Sequence, residues 1–446
     1  MKEYALIAKS EFFTSKEERT YKRLVAQLFG KKTIWKPKTI DEIRNVGLSL
    51  PMIKVTGSKA WMSKAGKQTL ISLTNLFVKQ QKYSNNLYFK DVYSAIKGKY
   101  QANLDNENRP ANCSFFDDII TELDSLVDNV TFVGEVEGLV FEDFDYLEFD
   151  NAVLKIFDES MLKHKHEDNE LDNLLRKKAV ECLEGKLVFI ATERGSKAVA
   201  LDKYKHRAKL NLSILKVLIC SHVKGGFSNT HIKLRSKNSF QYQDSFLVGW
   251  SSSGGLHTSE SASPRRDFPL TTERLQQFNV EELFQKLTYL SNKVSKNELE
   301  QAIEKSLYWF SEAQSDGCLA SSFLKLWSCL ECFFTITTDE ITERNAKGIA
   351  SLFMYGDLNM QLADIDELQS YVSLKTTIKK YYKLRSGVAH RAEYQKINEH
   401  VTILLSYIVS SIILSASCLA CRGYESLERL AYESERLDKI AHTSDK

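Results

Sequence analysis

A long uncharged segment near the C-terminal end constrains the fold more than any other feature of this sequence. Residues 401–421 contain no Asp, Glu, Lys or Arg, and a helix of about 20 apolar residues is long enough to cross a bilayer. Serines recur along the segment on or beside one helical face, at Ser406, Ser410, Ser411, Ser415 and Ser417. We therefore expect a helix buried in a bundle or at an interface in preference to a membrane span.

The charge balance does not indicate a general polyanion-binding surface. The chain has 61 Lys and Arg residues against 58 Asp and Glu residues, a formal net charge of +3 over 446 residues. Any nucleic-acid site therefore has to be a local patch. The apolar run at residues 4–8 is too short for a secretory signal, and scattered cysteines are typical of reduced thiols in a cytosol. We expect a cytoplasmic protein that does not bind a membrane.

The periodicity of apolar residues divides the chain into two parts. In the first part, short strands and loops are predicted within residues 1–70, strands within 130–150, 187–191 and 229–250, and helices within 71–100, 115–126 and 202–221. A Ser- and Gly-rich flexible loop is predicted at residues 251–266. From residue 296 onwards the pattern is helical. We expect an α+β fold, with a mixed N-terminal domain at residues 1–285 and a helical C-terminal domain at residues 290–446.

One predicted helix carries a cation on its apolar face. Leu374, Ile378, Tyr381 and Arg385 recur at i, i+4, i+7 and i+11, which is one stripe of a helix. A guanidinium on such a stripe is costly unless another group pairs with it. His390 follows five residues later, roughly 140° around an ideal helix. Arg385 and His390 are therefore candidates for one groove at a helix end or a helix–helix contact.

A carboxylate occupies a similar position on an earlier helix. Leu324, Trp327, Glu331 and Phe334 follow the spacing i, i+3, i+7 and i+10. Opposite charges on the inner faces of two helices suggest that Glu331 pairs with Arg385 and orients it. The alternative is a partly exposed carboxylate at the margin of the stripe.

Basic and aromatic residues surround the Arg385 segment. We identify as candidate RNA-binding residues Lys379, Lys380, Tyr382, Lys383 and Arg391. Cations for backbone phosphates next to rings that stack on unpaired bases are typical of a site for single-stranded or looped RNA. A Lys-rich helix that is merely well solvated remains the alternative.

Three other clusters have simpler explanations than a metal site. The pairs Cys329/Cys332 and Cys418/Cys421 lie in apolar helical runs, where cysteine is usually a small core residue, although zinc ligation is the alternative. Acids at residues 142–150 are typical of a solvated sheet face, and the His- and Lys-rich residues 163–168 are typical of a linker. We expect no metal and no cofactor.

Three segments resemble the Apea-like group of HEPN domains. They are YYKLRSGVAHR at residues 381–391, FLKLWSCLECF at 323–333 and EITERNAKGIASLF at 340–353, and the resemblance covers about residues 300–420. The first matches that family's Arg, four residues, His signature, the second its first core helix with an acid at Glu331, and the third its middle helix. Arg391 stands where the family usually has Gly after the His.

The resemblance implies a helical bundle, often dimeric, that acts as a metal-independent endoribonuclease in antiviral defence or a toxin-like system. His390 then transfers the proton and Arg385 stabilises charge on the phosphate, while the RNA 2′-OH attacks and leaves a 2′,3′-cyclic phosphate. Because the spacing separates the two side chains on one helix, we expect a homodimer through the helical domain. The N-terminal domain is expected to sense an unknown trigger or select the substrate. The alternative is a non-catalytic HEPN module that binds RNA or a partner protein.

Overall fold

The computed structural model describes most of the chain. The described residues are 12–30, 32–35, 52–55, 58–105, 112–162, 170–222, 231–235, 245–250, 256–261, 267–277, 280–334, 341–356, 358 and 365–444. They form two compact units. The first comprises residues 1–132 and 192–204, and the second comprises residues 133–191 and 205–446.

The first unit is built from helices and one small sheet. Its strands are β1 (Ile34–Trp35), β2 (Met52–Val55) and β3 (Ser58–Met62), and β3 pairs with both others in antiparallel register. Its helices are α1 (Ser15–Leu28), α2 (Lys64–Val78), α3 (Gln81–Ser84), α4 (Phe89–Asp105) and α5 (Asn112–Leu126). An aromatic cluster that includes Phe13, Tyr21, Phe77 and Phe116 forms its core.

Helix α1 was not predicted from the sequence, which indicated strands and loops in this region. A capping box starts the helix: Thr14 accepts a hydrogen bond from the backbone N–H of Glu17, whose side chain accepts one from the Thr14 N–H. The buried residues of α1, at i, i+3, i+4 and i+7, are Tyr21, Leu24, Val25 and Leu28. The helical period is present, but charged residues between these positions obscure it.

The second unit contains most of the strands. Three elements have residues in both units: β4 (Asp128–Glu137), β8 (Leu187–Gly195) and α7 (Lys197–His222). The second unit also holds β5 (Leu139–Phe141), β6 (Tyr146–Phe149), β7 (Ala152–Ile156), β9 (Lys233–Leu234), β10 (Ser245–Trp250), β11 (Leu256–Ser261) and β12 (Phe268–Leu270). The largest sheet has the order β6-β7-β8-β4-β9, while β10 pairs with β11 and β12 with β5.

Strand β11 corrects the expectation of a loop throughout residues 251–266. Leu256–Ser261 pairs antiparallel with Ser245–Trp250 along its whole length. The sequence of β11, LHTSES, does not alternate apolar and polar residues. It therefore lacks the pattern from which a strand is predicted. Residues 251–255 and 262–266 lie outside the described part of the chain.

The C-terminal half of the second unit is a helical bundle, so the chain has the α+β fold that its sequence predicts. Its helices are α8 (Thr272–Gln277), α9 (Val280–Asn292), α10 (Glu298–Gln314), α11 (Leu319–Phe334), α12 (Ile341–Tyr355), α13 (Tyr371–Arg391), α14 (Glu399–Cys421) and α15 (Leu427–Ser444). One more helix, α6 (Glu170–Leu183), precedes β8. The predicted boundary at residues 285–290 falls inside the second compact unit, and this domain assignment stays a prediction.

Helix α14 is the uncharged segment and occupies the interior of the bundle. It packs against α9, α10, α11 and α12. By length and composition it is the one described helix that could cross a membrane, but 78% of its most apolar window is buried within the protein. Its serines are buried as well; the Ser406 hydroxyl accepts a hydrogen bond from the Gln314 side chain. A buried bundle helix, as expected from the serine face, accounts for the missing charge.

A lysine is fully buried between α7 and α10. The Lys216 ammonium donates a hydrogen bond to the Ser311 hydroxyl at 2.8 Å and lies 3.5 Å from the Ser315 hydroxyl. Among the described residues, none of its hydrogen-bond partners is a carboxylate. Burial therefore lowers the pKa of Lys216 to about 7.

Replacing Lys216 with Met should stabilise the protein near neutral pH. Because the unfolded chain binds one more proton than the folded chain between pH 7 and the ordinary lysine pKa, this lysine makes the free energy of unfolding rise with pH over that range. Lys216→Met should raise the unfolding free energy by about 2–4 kcal/mol at pH 7 and by less at pH 8.5. Urea unfolding at both values checks this, with exposed Lys205→Met on the same helix as control. A difference that is independent of pH contradicts the argument.

Candidate functional site

Helix α13 carries the candidate residues and is anchored by its apolar face. The Ser370 hydroxyl caps its first turn by accepting a hydrogen bond from the Ser373 N–H. The apolar residues of the predicted stripe, Leu374, Ile378 and Tyr381, are buried. α13 packs against α11 and α12. The stripe is therefore a true packing face, and Arg385 continues it by one further turn.

Arg385 and Glu331 form an ion pair between α13 and α11. The Arg385 Nη2 atom lies 3.0 Å from Glu331 Oε1 and 3.3 Å from Oε2. Their side chains are 29% and 25% exposed, respectively. The predicted pairing of these two residues is confirmed. A carboxylate that holds a guanidinium in this way restricts its rotamers and leaves part of its donor edge facing solvent.

Trp327 is a second partner of the Glu331 carboxylate. Its indole Nε1–H donates a hydrogen bond to Glu331 Oε1 at 3.1 Å, and the ring is fully buried. The Tyr382 ring contacts this indole edge-on, with centroids 5.9 Å apart. Our sequence reasoning counted Trp327 only as an apolar residue. Its i, i+4 spacing to Glu331 was the signal that would have identified the hydrogen bond.

His390 is exposed in the last turn of α13. In the described part of the chain its imidazole makes no hydrogen bond or ion pair. Because α13 is helical through Arg391, the ideal angle of roughly 140° between Arg385 and His390 applies. Lys379, Lys383 and Ser386 share the face of His390. Arg385 therefore points towards α11. His390 lies on another face of α13 together with Lys379 and Lys383, which we call the basic face.

The basic face is partly neutralised by one carboxylate of α12. Glu343 forms ion pairs with Lys375, at 2.8 Å, and with Lys379. Hydrogen bonds from these two ammonium groups lower the pKa of Glu343 to about 2. Of the predicted RNA-binding residues, Lys379 is thus already paired. Sequence reasoning missed Glu343 because helix packing, not spacing along the chain, brings it to α13.

The other predicted RNA-binding residues remain accessible to different degrees. Lys380 and Lys383 are exposed, and Tyr382 is half-buried against Trp327. Arg391 is 72% exposed and lies 3.4 Å from a Glu393 carboxylate oxygen. The structure therefore places these cations on one helix, with Lys380, Lys383 and Arg391 directed to solvent.

The turn after His390 forms without the glycine that the resemblance would place there. The helix continues through Arg391, and Ala392 adopts the left-handed conformation with φ of 54°. Its backbone N–H donates to the Gly387 carbonyl. A left-handed alanine costs about 1–2 kcal/mol relative to the right-handed form. The turn is thus displaced by one residue from position 391, and a strained alanine closes the helix.

The clusters with alternative metal interpretations are dispersed or exposed. No three His, Cys, Asp or Glu side chains within the described ranges are grouped closely enough to hold a metal ion. Cys329 is fully buried, which raises the pKa of its thiol, and Cys421 is exposed. The acids at residues 142–150 are exposed to solvent, as a solvated sheet face requires. The residues 163–168 lie outside the described part.

No family model, no curated protein and no solved structure matches this chain. Inference about its function therefore depends on the chemistry of the site.

Substituting glycine for Ala392 should stabilise the protein, since glycine adopts the left-handed conformation without a steric penalty. We expect Ala392→Gly to raise the free energy of unfolding by about 1 kcal/mol, after allowance for the greater entropy of the unfolded chain. Ala389→Gly, at an exposed helical position three residues earlier, should instead lower it by about 1 kcal/mol. Urea unfolding of both variants measures this, and a loss of stability in both would refute the assigned strain.

Proposed function

We propose that this chain is a metal-independent endoribonuclease of the HEPN type. The observation that carries the proposal is the Arg385–Glu331 ion pair, with an N–O distance of 3.0 Å, between helices α13 and α11. It holds a guanidinium at a partly exposed position one turn before an exposed histidine. These are the two groups that RNA cleavage without a metal requires.

In the proposed reaction, His390 accepts the proton from the ribose 2′-OH as its oxygen attacks the adjacent phosphorus. The guanidinium of Arg385 stabilises the additional negative charge on the phosphoryl oxygens. The 5′-oxygen of the next nucleotide leaves and takes up a proton from water, and His390 afterwards returns the proton it accepted to water. The products are a 2′,3′-cyclic phosphate and a 5′-hydroxyl. Glu331 transfers no proton in this scheme. With Trp327, it keeps Arg385 in the orientation that binds phosphate.

Accessible cations on α13 supply the binding surface in this proposal. In this proposal the exposed Lys380, Lys383 and Arg391 bind phosphates of the RNA near the scissile bond. Lys379 has to exchange the Glu343 carboxylate for an RNA phosphate. RNA therefore has to compete with Glu343 for the Lys379 ammonium group, which weakens RNA binding. Single-stranded or looped RNA remains the proposed substrate.

A homodimer through the helical domain is part of the proposal. Arg385 and His390 point in directions that differ by roughly 140° on one helix, so both reach one phosphate most easily when a second copy contributes the missing group. A two-fold axis would bring both sets to one cleft. We further propose a cytoplasmic role in antiviral defence or a toxin-like system, in which the N-terminal region senses a trigger or selects RNA.

One observation favours a second candidate function. Arg385 already has a carboxylate partner, and among the described residues His390 has none to orient it. The same geometry therefore suits a HEPN module without catalytic activity that binds RNA or a partner protein. In that case Arg385 has a structural role, joining α13 to α11. The two functions differ in their response to the loss of His390, which an activity measurement detects directly.

Removing either proposed catalytic group should abolish RNA cleavage. His390→Ala and Arg385→Ala should each lower the cleavage rate on the order of 100-fold or more in EDTA, because proton transfer and charge stabilisation act in the same step. The measurement follows a labelled single-stranded RNA on gels and identifies the cyclic phosphate by its resistance to phosphatase. The matched controls are His400→Ala and Arg23→Ala, which change an exposed histidine and an exposed arginine that are not among the candidate site residues. Cleavage by the His390→Ala protein, or cleavage that needs Mg²⁺, would eliminate the mechanism.

Mixing the two inactive proteins should restore activity if each site takes Arg385 from one protomer and His390 from the other. In a heterodimer of the variants, one of the two sites is then intact, so random exchange should recover about a quarter of the wild-type rate. A double variant of both residues mixed with wild-type protein provides the control for exchange. A stable monomer by light scattering, or no recovery after verified exchange, refutes the shared site.

A further inference from the structure

Within the part of the chain that the structure describes, β6 is an edge strand of the largest sheet. Among the described residues, β6 pairs only with β7. Phe149 and Ala152 close a tight turn, and the Ile156 N–H donates to the Asp145 carbonyl. In antiparallel pairing the hydrogen-bonded positions alternate, so the backbone N–H and C=O groups of Tyr146 and Glu148 point away from β7. Backbone groups at a free edge can pair with one more strand.

A concavity of about 690 Å³ lies on the outer face of the same sheet edge. Tyr146 and Glu148 of β6, Val153 and Lys155 of β7 and Ile190 of β8 line it together. Their side chains share one face because Tyr146 is opposite Lys155, Glu148 opposite Val153, and Val153 opposite Ile190. The opposite face is the core side, where the Phe149 ring contacts Phe284.

The surface of this concavity is apolar with an acidic rim. The Tyr146 side chain is 58% exposed, and Val153 and Ile190 are half-buried. Three carboxylates border it, those of Asp145, Glu148 and Asp158, against the single ammonium of Lys155. Lys155 is itself 3.9 Å from Asp158. The charge of the rim is therefore complementary to a cationic ligand.

We propose that β6 and this concavity bind an extended basic peptide segment of a partner protein. The segment adds a strand to the edge through the outward backbone groups of Tyr146 and Glu148. Alternate side chains point to the outer face, where aliphatic groups cover Tyr146 and Ile190 and Lys or Arg residues pair with Glu148 and Asp145. The proposal is independent of the ribonuclease function, because none of these residues lies on α11 or α13.

The negative charge of the rim favours a basic peptide over a second copy of the chain and over RNA. A second copy of the chain pairing edge to edge would place the carboxylates of Asp145 and Glu148 opposite like charges, which is unfavourable. RNA would meet the same acids with its phosphates. A cationic peptide is the class for which both the backbone edge and the rim are favourable.

The test is fluorescence anisotropy with the full-length protein and three labelled probes. The first is a short peptide with the repeat Lys-Thr-Val-Thr, which in an extended strand presents Lys and Val in turn on one face. The second is the same peptide with every backbone nitrogen methylated, and the third replaces Lys with Glu. We expect saturable binding of the first probe only, since the second cannot donate hydrogen bonds along either edge and the third has the wrong charge.

Matched variants distinguish binding at the β6 edge from attraction of the cationic peptide to acidic side chains elsewhere on the protein. Glu148→Lys should weaken binding of the Lys–Val peptide about tenfold, whereas Glu142→Lys, an equal charge change at an exposed acid that does not line the concavity, should leave it within about twofold. Tyr146→Pro and Tyr146→Ala both remove the ring, but only proline removes the outward N–H. The Tyr146→Pro protein should therefore bind the peptide more weakly than the Tyr146→Ala protein. If Tyr146→Pro does not fold, the glutamate pair still decides the result.

Several outcomes would overturn the proposal. Equal losses in Glu148→Lys and Glu142→Lys, or equal binding of the methylated peptide, would leave only non-specific electrostatics. Affinity that increases when Lys163 and Lys165 are changed to Glu would assign the surface to the chain's own basic segment. A dimer that dissociates in Tyr146→Pro would assign it to a second copy. Binding of a labelled RNA oligonucleotide that is lost in Tyr146→Pro would assign it to nucleic acid.

Discussion

Burial of the uncharged helix α14 is the constraint on which the rest of the helical bundle depends. A helix with no charge over residues 401–421 has to be surrounded, and α9, α10, α11 and α12 surround it. Each fully buried Leu, Ile or Val contributes about 1.5–3 kcal/mol, so these helices are held firmly in place. Helix α13 packs on α11 and α12. The position of Arg385 relative to Glu331 is thus a consequence of how the bundle encloses α14.

Two carboxylates control the cations of α13. Glu331 of α11 forms an ion pair with Arg385, and Glu343 of α12 forms ion pairs with Lys375 and Lys379. Partly buried pairs of this kind hold side chains in place more than they add stability. The basic residues of α13 therefore differ in their availability to a ligand. Arg385 is oriented by Glu331, Lys375 and Lys379 are paired with Glu343, and Lys380, Lys383 and Arg391 remain accessible to a polyanion.

Periodicity along the chain predicted the parts of the site that belong to apolar stripes. Glu331 and Arg385 each interrupt such a stripe, and opposite charges on two packed faces have few arrangements other than a pair. The hydrogen bond from Trp327 to Glu331 was within reach of the same reasoning, because both residues lie on one helix at i, i+4. Helix α1 and strand β11 were missed for a different reason: their apolar pattern is obscured or absent, and backbone pairing leaves no trace in the side chains.

The sequence by itself determined the α+β class and the helical C-terminal region, and it indicated the burial of residues 401–421 and the pairing of Glu331 with Arg385, each beside an alternative. All four follow from which residues tolerate water, and that property is local. Only the tertiary structure decided that Glu343 pairs with Lys375 and Lys379, that Ala392 adopts the left-handed conformation after His390, and that β6 is, among the described strands, an edge beside an acidic concavity. These depend on which elements become neighbours, and residues far apart in the chain meet according to helix packing and strand order, which no local pattern encodes.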